Sequence, residues 1–238
     1  MARKVGSHGP TTLEAIREAG LELIYKHGYE AMSLRSLAAE VGIQAGSLYN
    51  HIKTKQDLLF DLMHTHMENL LSQMYKAMES GQEAEGRLRS FVKFHVEYHV
   101  SRKREVFISY SELRSLDPAY HRAIVRMRRE YEGYLISILE QGAADHIFVV
   151  DDAPAAAYGI IAMLTSNLIW FRPGGRMTVA DLVKFYTRMV LGAVGVVDKS
   201  PLAAVDVSPS LAVPAQVDEQ ARFRAHLAPY SAEDGGVV

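Results

Sequence analysis

The sequence predicts an all-α protein: a small three-helix helix-turn-helix domain at the N-terminal end, followed by a larger helical domain. Three observations predict this. Apolar residues recur at three- and four-residue spacing up to about residue 198. Helix-breaking groups, Asp117-Pro118, Asp151-Asp152 ahead of Pro154, and Pro173-Gly174-Gly175, fall between these runs. The only strand-like run, residues 147–150, is too short to found a sheet.

A first helix begins near Thr11, with Leu13, Ile16, Gly20, Leu23 and Ile24 on one stripe, and stops at Gly28, where a left-handed residue is needed. Ser33 reads as the N-cap of a short second helix ending near Val41, with Met32 and Leu37 placed as a hydrophobic staple. Ser36 occupies the position where Glu or Gln would close a capping box, so the box reads as incomplete. Gly42 makes the turn into a third helix over about 45–51. After Lys53-Thr54-Lys55 a long helix places Leu59, Leu62, Met63, His66, Leu70 and Met74 on one face and ends near Gly81. Further helices are expected at about 85–101, 104–116, 118–144, 153–171 and 179–196. From residue 199 the helical period disappears and four of the eight prolines occur, which reads as a flexible C-terminal extension with a short helix at 217–226. The expected division is 1–56, 57–198 and 199–238.

Composition narrows the function. The chain has 238 residues, 48% hydrophobic and 23% charged, an ordinary globular balance. It has no cysteine, which excludes disulfides, thiolate zinc sites and cysteine nucleophiles. The opening MARKVGSHGP carries charge with no apolar run behind it, and no stretch is expected to reach the roughly 20 apolar residues of a membrane helix. The expectation is a cytoplasmic protein with no membrane partner and no cofactor. Net charge is −2 but uneven: residues 1–56 hold seven Lys/Arg against five Asp/Glu, and residues 85–130 hold eleven against six. Local placement therefore decides whether a nucleic acid is the partner.

The third helix points to one. With Leu48 and Ile52 turned inward, the opposite face is Gly46, Ser47, Tyr49 and Asn50. That face is small at its N-terminal end and polar beyond, a shape that can enter a major groove. Lys53 and Lys55 flank the next helix start, where backbone N–H groups and lysines can hold a phosphate.

Residues 11–59, ending in SLRSLAAEVGIQAGSLYNHIKTKQDLL, resemble the DNA-binding domain of the TetR family of bacterial repressors. The likeness rests on the helix ending at Gly28, the capped second helix, the G-[IV]-x-x-x-x-L-Y-x-H-[FI] segment and the Lys that follows. It implies phosphate contacts from Ser33, Tyr49, His51 and Lys55, base-edge contacts from Arg35, Ala45 and Gly46, and positions near the DNA backbone for Ser47 and Asn50. Ala45 and Gly46 have almost no side chain, which leaves much of the base readout to Arg35 and Tyr49. The resemblance also implies a homodimer on double-stranded operator DNA arranged as an inverted repeat, released by a small-molecule effector. A dimer interface of Gly159, Ala162, Met163, Met189 and Gly192 is expected on the last two helices, where 158–164 and 185–193 are apolar on more than one face and the small Gly159, Ala162, Gly192 and Ala193 permit close approach.

The run from Asn167 through Trp170, Phe171, Arg172, Pro173, Gly174 and Gly175 into Thr178 and Asp181 resembles a subgroup of the same family. Its members regulate lipid, fatty-acid or steroid-ring catabolism and respond to acyl-CoA thioesters. The effector site so implied draws on Trp170, Arg172, Phe94, Tyr98, Arg102 and Arg126. Dense positive charge at Arg102, Lys103, Arg104, Arg122, Arg126, Arg128 and Arg129 is of the kind a nucleotide's phosphates need. Met74, Met78, Phe91, Phe94 and Tyr98 could line an apolar pocket or belong to plain core. His95 and His99, one helical turn apart, offer a rival: two imidazoles that could share a metal in a helical enzyme. Glu97 falls on another face and no third ligand is evident, so core or pocket-lining histidines are the favoured reading.

Overall fold

A computed structural model describes residues 9–78 and 83–196, and every regular element among them is helical. In chain order these are α1 (Gly9–His27), α2 (Leu34–Val41), α3 (Ala45–Leu48), α4 (Lys55–Ala77), α5 (Ala84–Ser101), α6 (Lys103–Ser111), a 3₁₀ turn at Leu113–Ser115, α7 (Pro118–Ala144), α8 (Ala153–Thr165), α9 (Asn167–Trp170) and α10 (Val179–Ala193). The all-α expectation holds. The extension at 199–238 and its short helix lie outside the described residues.

Local chemistry sets the starts and stops. Ser33 accepts a 3.0 Å hydrogen bond from the Ser36 N–H, and the Ser36 hydroxyl accepts a 3.1 Å bond from the Ser33 N–H. The capping box is therefore closed, contrary to the sequence reading: a serine hydroxyl is a sufficient acceptor at the third position. Thr54 with Asp57 and Thr178 with Asp181 make the same reciprocal pair at the starts of α4 and α10. Gly42 ends α2 at φ 72°, in the left-handed region that glycine adopts freely.

Several expected boundaries shift. α3 stops at Leu48, and a turn held by His51 N–H to the Leu48 carbonyl continues to Ile52. The helix expected over 104–116 divides into α6 and the 3₁₀ turn. The helix expected over 153–171 breaks at Ser166, whose hydroxyl donates 2.7 Å back to the Met163 carbonyl and so competes with the helical ladder. Residues 147–150 form no strand, although Val149 N–H does reach the Val194 carbonyl at 2.9 Å. On α4 Leu62 is only half-buried, while Leu58, Met67 and Leu71 join the expected buried face.

Packing divides the chain into two compact units. The first takes the described residues up to 78 together with Arg102–Gly133. Here α1 crosses α4, and α6 packs on both. Gly20 makes the crossing close: a Cβ there would lie 3.0 Å from a Leu58 methyl. Beside it Arg17 forks onto Asp61 through two 2.7 Å hydrogen bonds. The second unit takes the described residues of 80–101 and 134–196. Its central helix, α5, packs on α8, α9 and α10 around Leu88, Phe91, Val92, Val96, Leu164 and Val190. At the end of α7 the Ile147 and Phe148 N–H groups both bond the Gly142 carbonyl, folding the Phe148 ring onto Gly142 where a Cβ would overlap it.

One compositional expectation fails. Ala153–Trp170 has the length and mean hydropathy, 1.3, of a membrane-crossing helix, because its alanines and glycine dilute polarity without adding bulk. In the fold this stretch is the broken α8–α9 pair, with one face packed on α5.

Candidate nucleic-acid interface and effector core

α3 is oriented by two inward anchors. Leu48 is 0% exposed and Ile52 4%, while Ala45, Gly46, Ser47, Tyr49 and Asn50 are all exposed, Tyr49 at 53%. Ser33 and Arg35 are exposed at the start of α2, and nothing lies within 4 Å of where a Gly46 Cβ would stand. The α3 residues predicted to read DNA thus form an open, mostly small-residue surface with one projecting phenol, and Ser33 and Arg35 are open to solvent as well. His51 and Lys55 are half-buried at its margin. The Lys55 ammonium donates 3.0 Å to the Glu30 carbonyl and sits 4.1 Å above the Tyr29 ring. It pins the α1–α2 corner as well as standing where a phosphate could approach.

Behind this surface lies a network that sequence reading missed. The buried Glu112 carboxylate accepts from the Tyr29 N–H at 3.3 Å and from the Ser115 hydroxyl at 2.9 Å. Gln56, in the first turn of α4, donates 2.6 Å to the Ser115 carbonyl and accepts 2.9 Å from the Asp117 N–H. Tyr120 donates 2.7 Å to Asp57, which holds that carboxyl below the usual carboxylate range, and its ring stacks on Phe60 at 4.2 Å. The helix-turn-helix is therefore bonded to the end of α6 and the start of α7. Sequence gives no signal for the pairs that cross to Tyr29, Gln56 and Asp57, since each joins residues more than fifty positions apart.

The basic cluster resolves into two kinds of arginine. Arg104 bridges Glu18 at 2.8 Å and Glu22 at 2.7 Å on α1. Arg128 is largely buried, donates 2.5 Å to the Ser109 carbonyl and lies 4.7 Å over the Tyr110 ring; burial lowers its pKa. These two serve the first unit's own packing rather than a ligand. Arg102 and Arg126 are exposed, Arg102 pairing with Glu105 at 3.3 Å, and both belong to the first unit.

The other expected effector residues belong to the second unit. Phe94 and Tyr98 stand one turn apart on α5 with ring centroids 5.5 Å apart, Tyr98 buried and Phe94 half-buried. Trp170 and Arg172 are exposed, and Trp170 meets Phe171 edge-on at 6.4 Å. His95 and His99 are stacked 3.7 Å apart and buried. His99 Nδ1 lies 2.8 Å from the His95 carbonyl, which can only accept, so Nδ1 carries the proton. His95 Nε2 lies 3.2 Å from the Thr165 hydroxyl. No group of three metal-ligating side chains occurs among the described residues. Burial holds His95 well below the usual imidazole range, helped by His99, and pushes His99 down to about 4.

The second unit also carries an apolar face. On α8 and α10 the inner faces bury Ala157, Ile160, Leu164, Leu182, Tyr186 and Val190. The outer faces expose Tyr158, Gly159 and Ala162, and Phe185, Met189 and Gly192, with Met163 half-buried. Among the described residues, nothing beyond the helix's own backbone and chain neighbours lies within 4 Å of a Cβ built at Gly159 or Gly192.

Comparison with known proteins agrees with this arrangement. Residues 16–62 match the family model described as bacterial regulatory proteins, tetR family, and residues 81–194 match the tetracyclin repressor-like C-terminal domain. The HTH-type transcriptional repressor KstR2 of Mycolicibacterium smegmatis is 23% identical over 82% of this chain and 96% of its own length. A solved tetR-family regulatory protein from Rhodococcus RHA1 superimposes with a TM-score of 0.74 at 28% identity, covering 79% of this chain and 98% of that one. The structure of AibR in complex with isovaleryl coenzyme A and operator DNA has a TM-score of 0.70 at 24% identity, covering 75% and 97%.

The histidine pair predicts a pH response. An unfolded imidazole titrates near ~6.5, whereas His99 titrates at about 4 and His95 also well below its usual value in the fold. Between these limits the unfolded chain takes up protons that the folded chain refuses. Stability should therefore fall as pH drops from 6.5 towards 4, by up to about 1.4 kcal/mol per pH unit for each histidine. Urea midpoints at pH 7 and pH 5 check this: a His95→Gln/His99→Gln variant should lose less between the two than the parent.

Proposed function

Because the chain belongs to the TetR family of bacterial regulatory proteins, we propose that it is a repressor that binds an inverted-repeat operator as a homodimer and is released by an acyl-CoA thioester. It is a DNA-binding regulator and not an enzyme. The observation that carries the proposal is the α3 surface: small residues lead, Tyr49 projects, and Leu48 and Ile52 anchor the back. Ser33, Tyr49, His51 and Lys55 are assigned to phosphates, Arg35, Ala45 and Gly46 to base edges, and Ser47 and Asn50 to the adjacent backbone. By role, residues 1–56 read DNA and 57–198 bind effector and partner, and the protein acts in the cytoplasm.

The dimer is proposed to form through the outer faces of α8 and α10, because an apolar surface with two bare glycines invites a second copy of itself. Two-fold symmetry then sets the half-sites about 34 Å apart, presenting successive major grooves on one side of the duplex. The effector reading is supported by the exposed Trp170 and Arg172 and by the packing of α9, which carries Trp170, on α5, which carries Phe94 and Tyr98. A structural relative bound to isovaleryl coenzyme A and operator DNA supports it too.

Selection of duplexes from a random pool should return an inverted repeat, and its absence sinks the operator reading. On the selected site Tyr49→Ala should weaken binding about ten- to a hundredfold with helicity intact. Lys55→Ala should weaken all duplexes alike and lower the salt slope by about one phosphate contact. A changed sequence preference with an unchanged slope overturns that assignment.

Gly192 is open in the isolated subunit, so Gly192→Glu leaves the fold room while placing two carboxylates near the two-fold axis. A folded monomer that no longer retains operator is expected by analytical ultracentrifugation and gel shift. A dimer of unchanged affinity would show that α10 does not form the interface.

Trp170 is the chain's single tryptophan and reports without ambiguity. Isovaleryl-CoA or a longer acyl-CoA should shift or quench its emission and release operator at the same concentration, while free CoA and the free acid act far more weakly. A fatty, aromatic and steroid-derived acyl-CoA panel that does neither overturns the effector class and leaves the repressor reading standing.

A further inference from the structure

Asn167 opens α9 just after the Ser166 break and is 0% exposed. Among the described residues neither its amide nitrogen nor its amide oxygen has a hydrogen-bond partner. A buried primary amide has two donors and an acceptor to satisfy, and leaving them unpaired is unfavourable. The neighbouring polar groups are engaged elsewhere. Ser166 donates to the Met163 carbonyl, Thr165 meets His95, and the Tyr186 hydroxyl lies 3.4 Å from Ser166. α9 packs on α5, the helix of the stacked His95–His99 pair, and on α8. These imidazoles stay uncharged because they are buried, so Asn167 faces no nearby cation from them.

We propose that Asn167 is the internal recognition group for a small molecule carrying uncharged secondary amides, the N–H of one pairing to its oxygen and the C=O of another to its nitrogen. A secondary amide offers both a donor and an acceptor, and since its trans N–H and C=O point in opposite directions, two amides serve the two ends of Asn167; a ketone or ester fills only the donor side and a carboxylate would be buried without a counter-charge. The inference deepens the effector reading proposed above and rests on it for the ligand's identity. The pantetheine arm of an acyl-CoA contains two secondary amides between nucleotide and thioester, and Asn167 takes the N–H of one and the C=O of the other.

Three measurements test this. In the ligand-free protein, Asn167→Leu removes the unpaired amide at similar volume, so its melting temperature should equal the parent's or exceed it by roughly 2–4 °C. A drop of that size, which would mean the amide is already satisfied, overturns the proposal. Next, N-butylacetamide at millimolar concentration should raise the parent's melting temperature, and butyl acetate, of the same shape without the N–H, should raise it less. Neither should discriminate in Asn167→Leu, nor in Asn167→Ala should the leucine fail to fold. Equal responses to amide and ester in the parent, or an undiminished amide response in the variants, overturn it. Last, isovaleryl-CoA read through Trp170 emission should bind Asn167→Leu at least about tenfold more weakly than the parent. Equal binding sinks the Asn167 role and leaves the acyl-CoA reading intact. A silent parent with the first two results as expected sinks the acyl-CoA reading and leaves the amide site.

Discussion

The crossing of α1 over α4 is the constraint on which the reading surface depends. Gly20 permits it by bringing the α1 backbone against Leu58, and the Arg17–Asp61 fork fixes rotation about that contact. A planar guanidinium with two parallel bonds has one good geometry, unlike a lysine in the same place. Leu37 and Ala38 on α2 and Leu48 and Ile52 beyond it then bury against a platform already set in orientation. The exposed face proposed to meet DNA begins with the short side chains Ala45, Gly46 and Ser47, so its placement depends on the backbone that carries it, and that backbone is set by the supporting helices.

That dependence explains why so many polar pairs converge on one corner. Lys55 ties to Glu30 and Tyr29, Glu112 to Tyr29 and Ser115, and Gln56 to Ser115 and Asp117. Each is modest alone, at about 1 kcal/mol or somewhat more where a charge takes part. Together they make the corner between α1 and α2 and the start of α4 follow the segment from Glu112 to Asp117. Arg104 adds a second tie from α6 to Glu18 and Glu22 on α1, partly exposed and so weaker.

Much of this fold was legible because its information is local. Periodicity, Gly28 and Gly42, and the Ser33 cap each act within a few residues, and the inward pair Leu48 and Ile52 defined the exposed face of α3 without knowledge of its surroundings. What failed was non-local or finely balanced. Ser166 fits the helical period, and only its bond to Met163 reveals the break. Arg104 and Arg128 are indistinguishable in sequence from Arg102 and Arg126, yet the first two find carboxylates and a buried carbonyl across the fold. Charge counts report how many cations a segment has and nothing about how many are free. Asn167 was visible only as one letter of a recognised segment, since whether an amide is buried and unpaired is a property of packing. The capping box at Ser33 shows the opposite error: a rule written for Glu or Gln also admits serine when the hydroxyl can reach.

Release of DNA needs only a difference in effector affinity between two arrangements of the reading heads, about 5.5 kcal/mol to swing a population from 1:99 to 99:1. The corner network sets how a small movement becomes such a difference. Gln56 meets Ser115 at 2.6 Å and Asp117 at 2.9 Å, and Glu112 meets Tyr29 at 3.3 Å. Displacing the turn at Leu113–Ser115 by about 1 Å takes these bonds out of range unless α4 and the α1–α2 corner move with it. Leaving the buried Glu112 carboxylate without its partners is costlier than moving, so the helix-turn-helix follows. In a symmetric dimer both heads move together and their displacements add across the operator, whose half-site spacing is fixed by the duplex. A shift too small to disturb one subunit's contacts is thereby large enough to prevent two from binding at once.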